Sequence, residues 1–309
     1  MSAPTTDASQ LAEPARTTVR VEPVDVTPLP RPDGTQLRLG LSHVLFTLVG
    51  LIAWLFLYVY VLSGFSQGHV QQQLYGQLRE QLAEGTAPTG APIAAGAPVA
   101  LLDVPALGLH HVVVVEGTRP AQLQDGPGHK LGGVLPGQAG VSTLMGRAVS
   151  HGAPFRHLGS LKPGAAITVT TAEGTFAYRV DDVRTKGDPV PAAPAAGVGR
   201  LVLVSADSSG WLAHPQTVYV DASLQGAAQP ASDVSASDPG GAAMARDTSA
   251  GTLAILAIAL ELLVGALVAF TWARHRWSRL GAWIAGVPVL LAALWLVSIV
   301  ASRLLPNLI

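Results

Sequence analysis

The sequence contains no cysteine in its 309 residues. That absence excludes a disulfide framework, a thiolate zinc site and a cysteine nucleophile. Charge is also scarce: 13% of the residues are Asp, Glu, Lys or Arg, against about a quarter in an ordinary globular chain. The formal net charge is -1 and no basic stripe stands out, so no nucleic-acid partner is expected. A glycine-rich phosphate loop, metal-ligand spacing and internal repeats are all missing, so the expectation is no cofactor and no metal. His110 and His111 are adjacent at the start of a strand-like run and would face opposite sides, which does not suit a metal pair.

What the chain has instead is apolar residues, 49% of the total, gathered into long runs at 41–63, 251–273 and 280–302. Each run reaches the roughly 20 residues that a bilayer core requires, so three transmembrane helices are expected. The first reads as a signal anchor, because about 40 residues precede it and no small-residue cleavage site follows closely. Arg16, Arg20, Arg31 and Arg38 lie before it, and a basic loop at 274–279 (Arg274, Arg276, Arg279) joins the other two. By the positive-inside rule these are the cytoplasmic sides. The expectation is a multi-pass protein of the cell membrane, with a cytoplasmic N-terminus and everything between the first two spans outside. Glu261 stands near the middle of the second run. A carboxylate there is costly, and a contact with another span is expected, with an indole such as Trp54 or Trp295 as donor.

Segment 1–40 lacks an apolar period and reads as a disordered cytoplasmic tail. Segment 64–97 reads as stalk and linker, with Val70, Leu74, Leu78 and Leu82 at helical spacing before a Pro- and Gly-rich break. A second linker occupies 225–250. Between them, 98–224 reads as one all-β domain. Its strand candidates are VALLDVP, HHVVVVEG, GVSTLMGR, AITVTTA, TFAYRVDDV, RLVLVSA and TVYVDAS, rich in Val, Thr, Ile and Tyr and parted by Gly and Pro. Many short strands with frequent turns argue for a small barrel or sandwich.

Four motifs occur in order within this domain: Gly126-Pro127-Gly128-His129, Leu135-Pro136-Gly137-Gln138, Gly152-Ala153-Pro154-Phe155 and Leu161-Lys162-Pro163-Gly164. With them the domain resembles the sortase family, and most nearly the actinobacterial type labelled class E. The resemblance implies a mostly β fold, an eight-stranded β-barrel, here accompanied by three transmembrane helices. Sortases cut a sorting signal and pass the acyl group to an amine. A Cys thiolate attacks, a His protonates the leaving amine, and an Arg helps to hold the oxyanion or substrate. The family's Gly-His matches Gly146-Arg147 here. Its Thr-Cys matches Ser205-Ala206, at the end of Leu201-Val202-Leu203-Val204, and its Arg falls near Gln216. Ala206 has no nucleophile, and a guanidinium stays protonated where the His would exchange protons. The domain is therefore degenerate at Arg147, Ala206 and Gln216.

The function expected is that of a membrane-anchored sortase-like protein without transpeptidase activity. It would act as an extracytoplasmic binding or accessory module in cell-surface protein anchoring. Its partners would be an active sortase or a surface-protein peptide, with membrane lipid around its spans. The groove candidates are His129, Arg147, Ser205 and Asp207. One alternative is an active hydrolase or transpeptidase with a non-cysteine nucleophile. Ser205 is the weak choice for it, in a polar stretch with Asp207, Ser208 and Ser209 and with His214 following, because nothing in the sequence places a base beside it. A second alternative is a membrane scaffold component. His151 and His157 flank Gly-Ala-Pro-Phe and are expected on the surface.

Overall fold

The computed structural model describes residues 42, 45, 49–206, 216–233, 247–276 and 279–304. Three of its helices are long and apolar enough to cross a membrane: Val49–Glu84 (α1), Ala250–Arg276 (α3) and one within Arg279–Ser302 (α4). At about 1.5 Å per residue, α1 runs on for roughly 20 Å beyond a bilayer core. A π-helical turn over Tyr58–Leu62 interrupts it. Such a turn re-phases the helix. Trp54 and Tyr58 face α4, where the Trp54 indole donates to Ser298 Oγ at 3.0 Å and Tyr58 meets Trp295 edge-on. Beyond the turn, Ser63, Gln67 and Leu78 are buried. α3 packs on α4 through Leu256, Ala259, Leu263 and Phe270, the spacing of one helix face. The Phe270 ring covers Gly286, where a Cβ would come within 2.2 Å of it.

The β domain comprises Pro98–Val104 (β1), Leu109–Glu116 (β2), a one-and-a-half-turn helix Pro120–Asp125 (α2), Gly128–His129 (β3), Gly140–Met145 (β4), Ala166–Thr171 (β5), Gly174–Thr185 (β6), Gly199–Ala206 (β7) and Thr217–Leu224 (β8). They close into an eight-stranded barrel in the order β1-β2-β3-β4-β7-β8-β6-β5. Closure leaves no unpaired sheet edge. The seven strand-like runs of the sequence all form strands. The eighth, β3, has two residues and lies inside Gly126-Pro127-Gly128-His129, too short to show alternation. Inward residues such as Leu102, Leu144, Ile167, Val169, Tyr178, Leu201 and Leu203 fill the interior with Phe155. Each such side chain contributes about 1.5–3 kcal/mol on burial. Gly137 has φ 99°, and its N–H donates to the Tyr178 hydroxyl at 2.6 Å. A Cβ there would strike the Phe176 ring, so the Leu-Pro-Gly-Gln motif needs glycine both for its turn and for close packing.

The helices are bonded to the barrel. Leu78 of α1 packs with Leu101, Val113 and Ala87 on the barrel's outer wall, and Leu74 and Leu82 flank it. Gln71 acts as a substitute strand partner for β2. Its Oε1 accepts from Val113 N–H at 2.8 Å, and its Nε2 donates to Val113 O at 3.1 Å and to Asp125 O at 2.7 Å. At the far end of α4, Gln124 Nε2 donates to Ser302 Oγ and Ile299 O, and Arg303 Nε donates to Gln124 Oε1. The Asp247 N–H just before α3 donates to Arg303 O. The barrel therefore sits where α3 begins and α4 ends, and Arg274 and Arg276 lie at the opposite ends of those helices.

Candidate functional site

β4 runs parallel to β7, with Leu144 opposite Leu203 and Met145 opposite Val204. β8 runs antiparallel to β7, with Ala206 opposite Thr217. Following this register, Gly146-Arg147 leaves β4 beside Ser205-Ala206 on one side of β7, and Gln216 enters β8 on its other side. Arg147, Ala206 and Gln216, the positions that the sequence motifs suggested for the family's His, Cys and Arg, are thus brought to one end of three neighbouring strands.

Arg147 is 0% exposed. Its Nη1 donates to Ser150 Oγ at 3.0 Å and its Nη2 to Pro120 O at 3.3 Å, while Nε is buried without a partner. Burial lowers its pKa to about 10, and Tyr58 of α1, the neighbour that partly offsets this, lies beside it. The guanidinium remains charged near neutral pH with no carboxylate against it among the described residues. Ser205 is also 0% exposed. Its hydroxyl donates to Gly146 O at 2.8 Å, tying β7 to the residue after β4. No His, Asp or Glu among the described residues bonds to it. Ala206 is 7% exposed and packs with Leu123, Met145, Ala148, Val202 and Val204. Gln216 is exposed. Asp207, Ser208, Ser209 and His214 lie outside the described residues.

His129 does not reach the rim. It is 2% exposed, its Nδ1 lies 2.8 Å from Glu116 Oε2, and its Nε2 lies 2.9 Å from Val134 O. A carbonyl only accepts, so Nε2 carries a proton, and another lies along the Nδ1–Oε2 line. The pair braces β2 against β3 and the turn that follows. Arg147, Ser205 and His129 are all closed to solvent, because the barrel wall and the helix ends cover them.

His151 departs from the surface position expected of it: it is 3% exposed. Its N–H donates to Ser63 Oγ of α1 at 2.9 Å, and Nδ1 has no partner. Burial, followed by the fields of Arg147 and Arg303, lowers its pKa to about 3. Glu261 also departs from expectation. It is exposed, no hydrogen bond reaches it among the described residues, and the Trp54 and Trp295 indoles are directed to α1–α4 contacts. Reasoning from sequence missed Tyr58, Ser63, Gln71 and Gln124, the residues that press the helices onto the site. The run of glutamines after the first span was the one available signal for them. A separate concavity of about 450 Å³ opens between α1 and the start of β2, lined by Gln67, Gln72, Tyr75, His110, His111 and Pro154.

A closed eight-stranded barrel of this strand order defines the class of domain. Residues 102–222 match the family model described as Sortase domain, and the barrel is a sortase-type domain. Among solved structures, the chain is similar to the sortase D5 transpeptidase of Clostridium perfringens, at 22% identity over 51% of this chain and 99% of that one, TM-score 0.44. It is also similar to sortase E of Streptomyces avermitilis, at 24% identity over 45% and 93%, TM-score 0.36. A third is the sortase C of Clostridium perfringens, at 17% identity over 51% and 89%, TM-score 0.37. No curated protein matches the chain.

Proposed function

We propose that this chain is a non-catalytic member of the sortase type, which binds a surface-protein peptide or an active sortase as an accessory module in cell-surface protein anchoring. One observation carries the reading. At the family's His position, Arg147 is buried and bonded to Ser150 and Pro120, beside an alanine where the nucleophile belongs. A sortase needs a thiolate to form the acyl intermediate and a group that gives and takes a proton. Ala206 supplies neither, and Arg147 holds its protons. The bonding of α1 and α4 to the barrel supports a scaffold role as well, since it makes the domain a rigid part of its own membrane anchor. In this reading the barrel is extracytoplasmic. Arg274 and Arg276, at the opposite ends of the helices from the barrel, support that orientation. Binding would use the open concavity beside α1 and not the covered strand ends.

The test is incubation of the full chain in detergent with labelled peptides carrying a C-terminal cell wall sorting motif and an amine acceptor. The expected result is neither cleavage nor transfer. Turnover above buffer that disappears with Ser205→Ala overturns the non-catalytic reading in favour of the serine alternative.

A further inference from the structure

Glu261 lies at the midpoint of α3, the outermost of the three spanning helices, and it faces away from α4. The packing face passes through Ala259 and Leu263, and Glu261 lies two residues from each, on the far side of the helix. Ala257, Glu261, Gly265 and Ala269 follow one another at four-residue spacing on the same outer face, and all are exposed. The helix is therefore smooth immediately above and below the one carboxyl group, and a second backbone can approach closely there. A polar group at that depth with nothing to bond to costs several kcal/mol, by the general rule for hydrocarbon. The face is not apolar surface left bare for lipid.

We propose that this outer face of α3 is the surface through which two copies of the chain pair within the membrane, Glu261 against Glu261. A protonated carboxyl carries one O–H donor together with acceptor capacity, so it is self-complementary. An ionised carboxyl would need a cation. The runs 41–63, 251–273 and 280–302 contain no Lys or Arg, and their one His, His43, is the third residue of the first run and not at mid-span, so a second copy offers no cation at the depth of Glu261. Pairing about a two-fold axis along the membrane normal brings the same patch of both copies together. Both Glu261 groups then fall at one depth, and each Gly265 lies close to its counterpart. Arg274 and Arg276 end the helix in the headgroup layer, where water and lipid phosphate screen their mutual repulsion. The inference does not depend on whether the barrel is catalytic.

The absence of cysteine makes the test clean. The full chain is placed in lipid bilayers at graded dilution. Association is followed by single-molecule photobleaching and by oxidative cross-linking of Ala257→Cys, with Leu263→Cys on the α4-facing side as control. Dimers are expected, cross-linked through position 257 and not through 263. Glu261→Leu is expected to raise the dissociation constant roughly 3- to 30-fold, the range that single polar interhelical contacts span. Glu261→Gln, which keeps a donor and an acceptor, should retain most of the affinity. A Cβ at Gly265 meets nothing within 4 Å in the single chain. Gly265→Leu therefore leaves the fold intact while blocking close approach, and it should also dissociate the pair. A monomeric wild type at every dilution, as a partner supplying Lys or Arg would leave it, overturns the proposal. So does pairing that survives both Glu261→Leu and Gly265→Leu.

Discussion

His151 ties the stability of the barrel–helix junction to pH. It sits in the left-handed region at φ 52° and is held there by its N–H bond to Ser63. Burial and two nearby cations lower its pKa from 6.5 to about 3. In the unfolded chain the imidazole takes a proton as pH falls below about 6.5, while in the folded chain it stays neutral until about 3. The unfolded state then binds more protons, so stability is complete above pH 6.5 and is lost as pH falls toward 3. Between about pH 7.5 and pH 5 this single group removes about 2 kcal/mol, since a window of one and a half pKa units is crossed at roughly 1.4 kcal/mol each. Asn tolerates a positive φ and does not titrate, so His151→Asn keeps the backbone and deletes the proton. Thermal unfolding of the full chain in detergent is measured at both pH values for wild type and variant. The wild type is expected to lose about 2 kcal/mol more on acidification. Equal losses refute the reasoning, because the carboxylates common to both proteins would then account for the whole pH dependence.

Gln71→Leu removes three hydrogen bonds and leaves Val113 N–H and two carbonyls without their partner. The expected cost is about 2–4 kcal/mol, read as faster hydrogen exchange at the Val113 amide and easier proteolysis after Glu84. Unchanged exchange at Val113 would show that the leucine stripe alone docks the helix. For topology, a reporter active only outside the cytoplasm should work when fused after Leu224 and fail when fused after Arg276, and the reverse pattern overturns the orientation.

The strands were legible because they are rich in Val, Ile, Thr and Tyr and parted by Gly and Pro, and in Ala166–Thr171 burial follows the period of two, with Ile167, Val169 and Thr171 turned inward. β3 was not, because two residues carry no period. The spans were legible from length and composition, but the phase of α3 was not. Whether Glu261 faces α4 or lipid depends on which helix side Ala259 and Phe270 select in packing, and an all-apolar helix does not advertise that side. Motif order pointed to Arg147, Ala206 and a position near Gln216 as one group, and the parallel pairing of β4 with β7 brings the first two to the same end of neighbouring strands. The burial of those two was not legible. Arg147 is enclosed by Ser150 and by Pro120, Ala206 by Leu123, Met145 and Val204, and the helices are held close by Ser63, Gln71 and Gln124 across separations of 42 to 178 residues, and no local pattern encodes such contacts.

Those contacts bear on how the site and the anchor are related. Arg147 bonds Pro120 at the start of α2, Gln124 at its other end bonds Ser302, and α4 ends there against α1. A continuous set of bonds therefore runs from the β4–β7 end of the barrel into the membrane-capable helices. A guanidinium buried with only neutral acceptors among the described residues is costly. Restoring the missing groups one by one does not reverse this arrangement. A thiol introduced by Ala206→Cys would occupy a position 7% exposed and packed among Leu123, Met145 and Val204. Burial in such surroundings disfavours the thiolate that the reaction needs, although the nearby Arg147 would favour it. On the non-catalytic reading proposed above, the loss of chemistry and the docking of the helices would reinforce each other: with no peptide entering at the ends of β4 and β7, that surface would be free to be covered, and covering it would hold the barrel on its own helices.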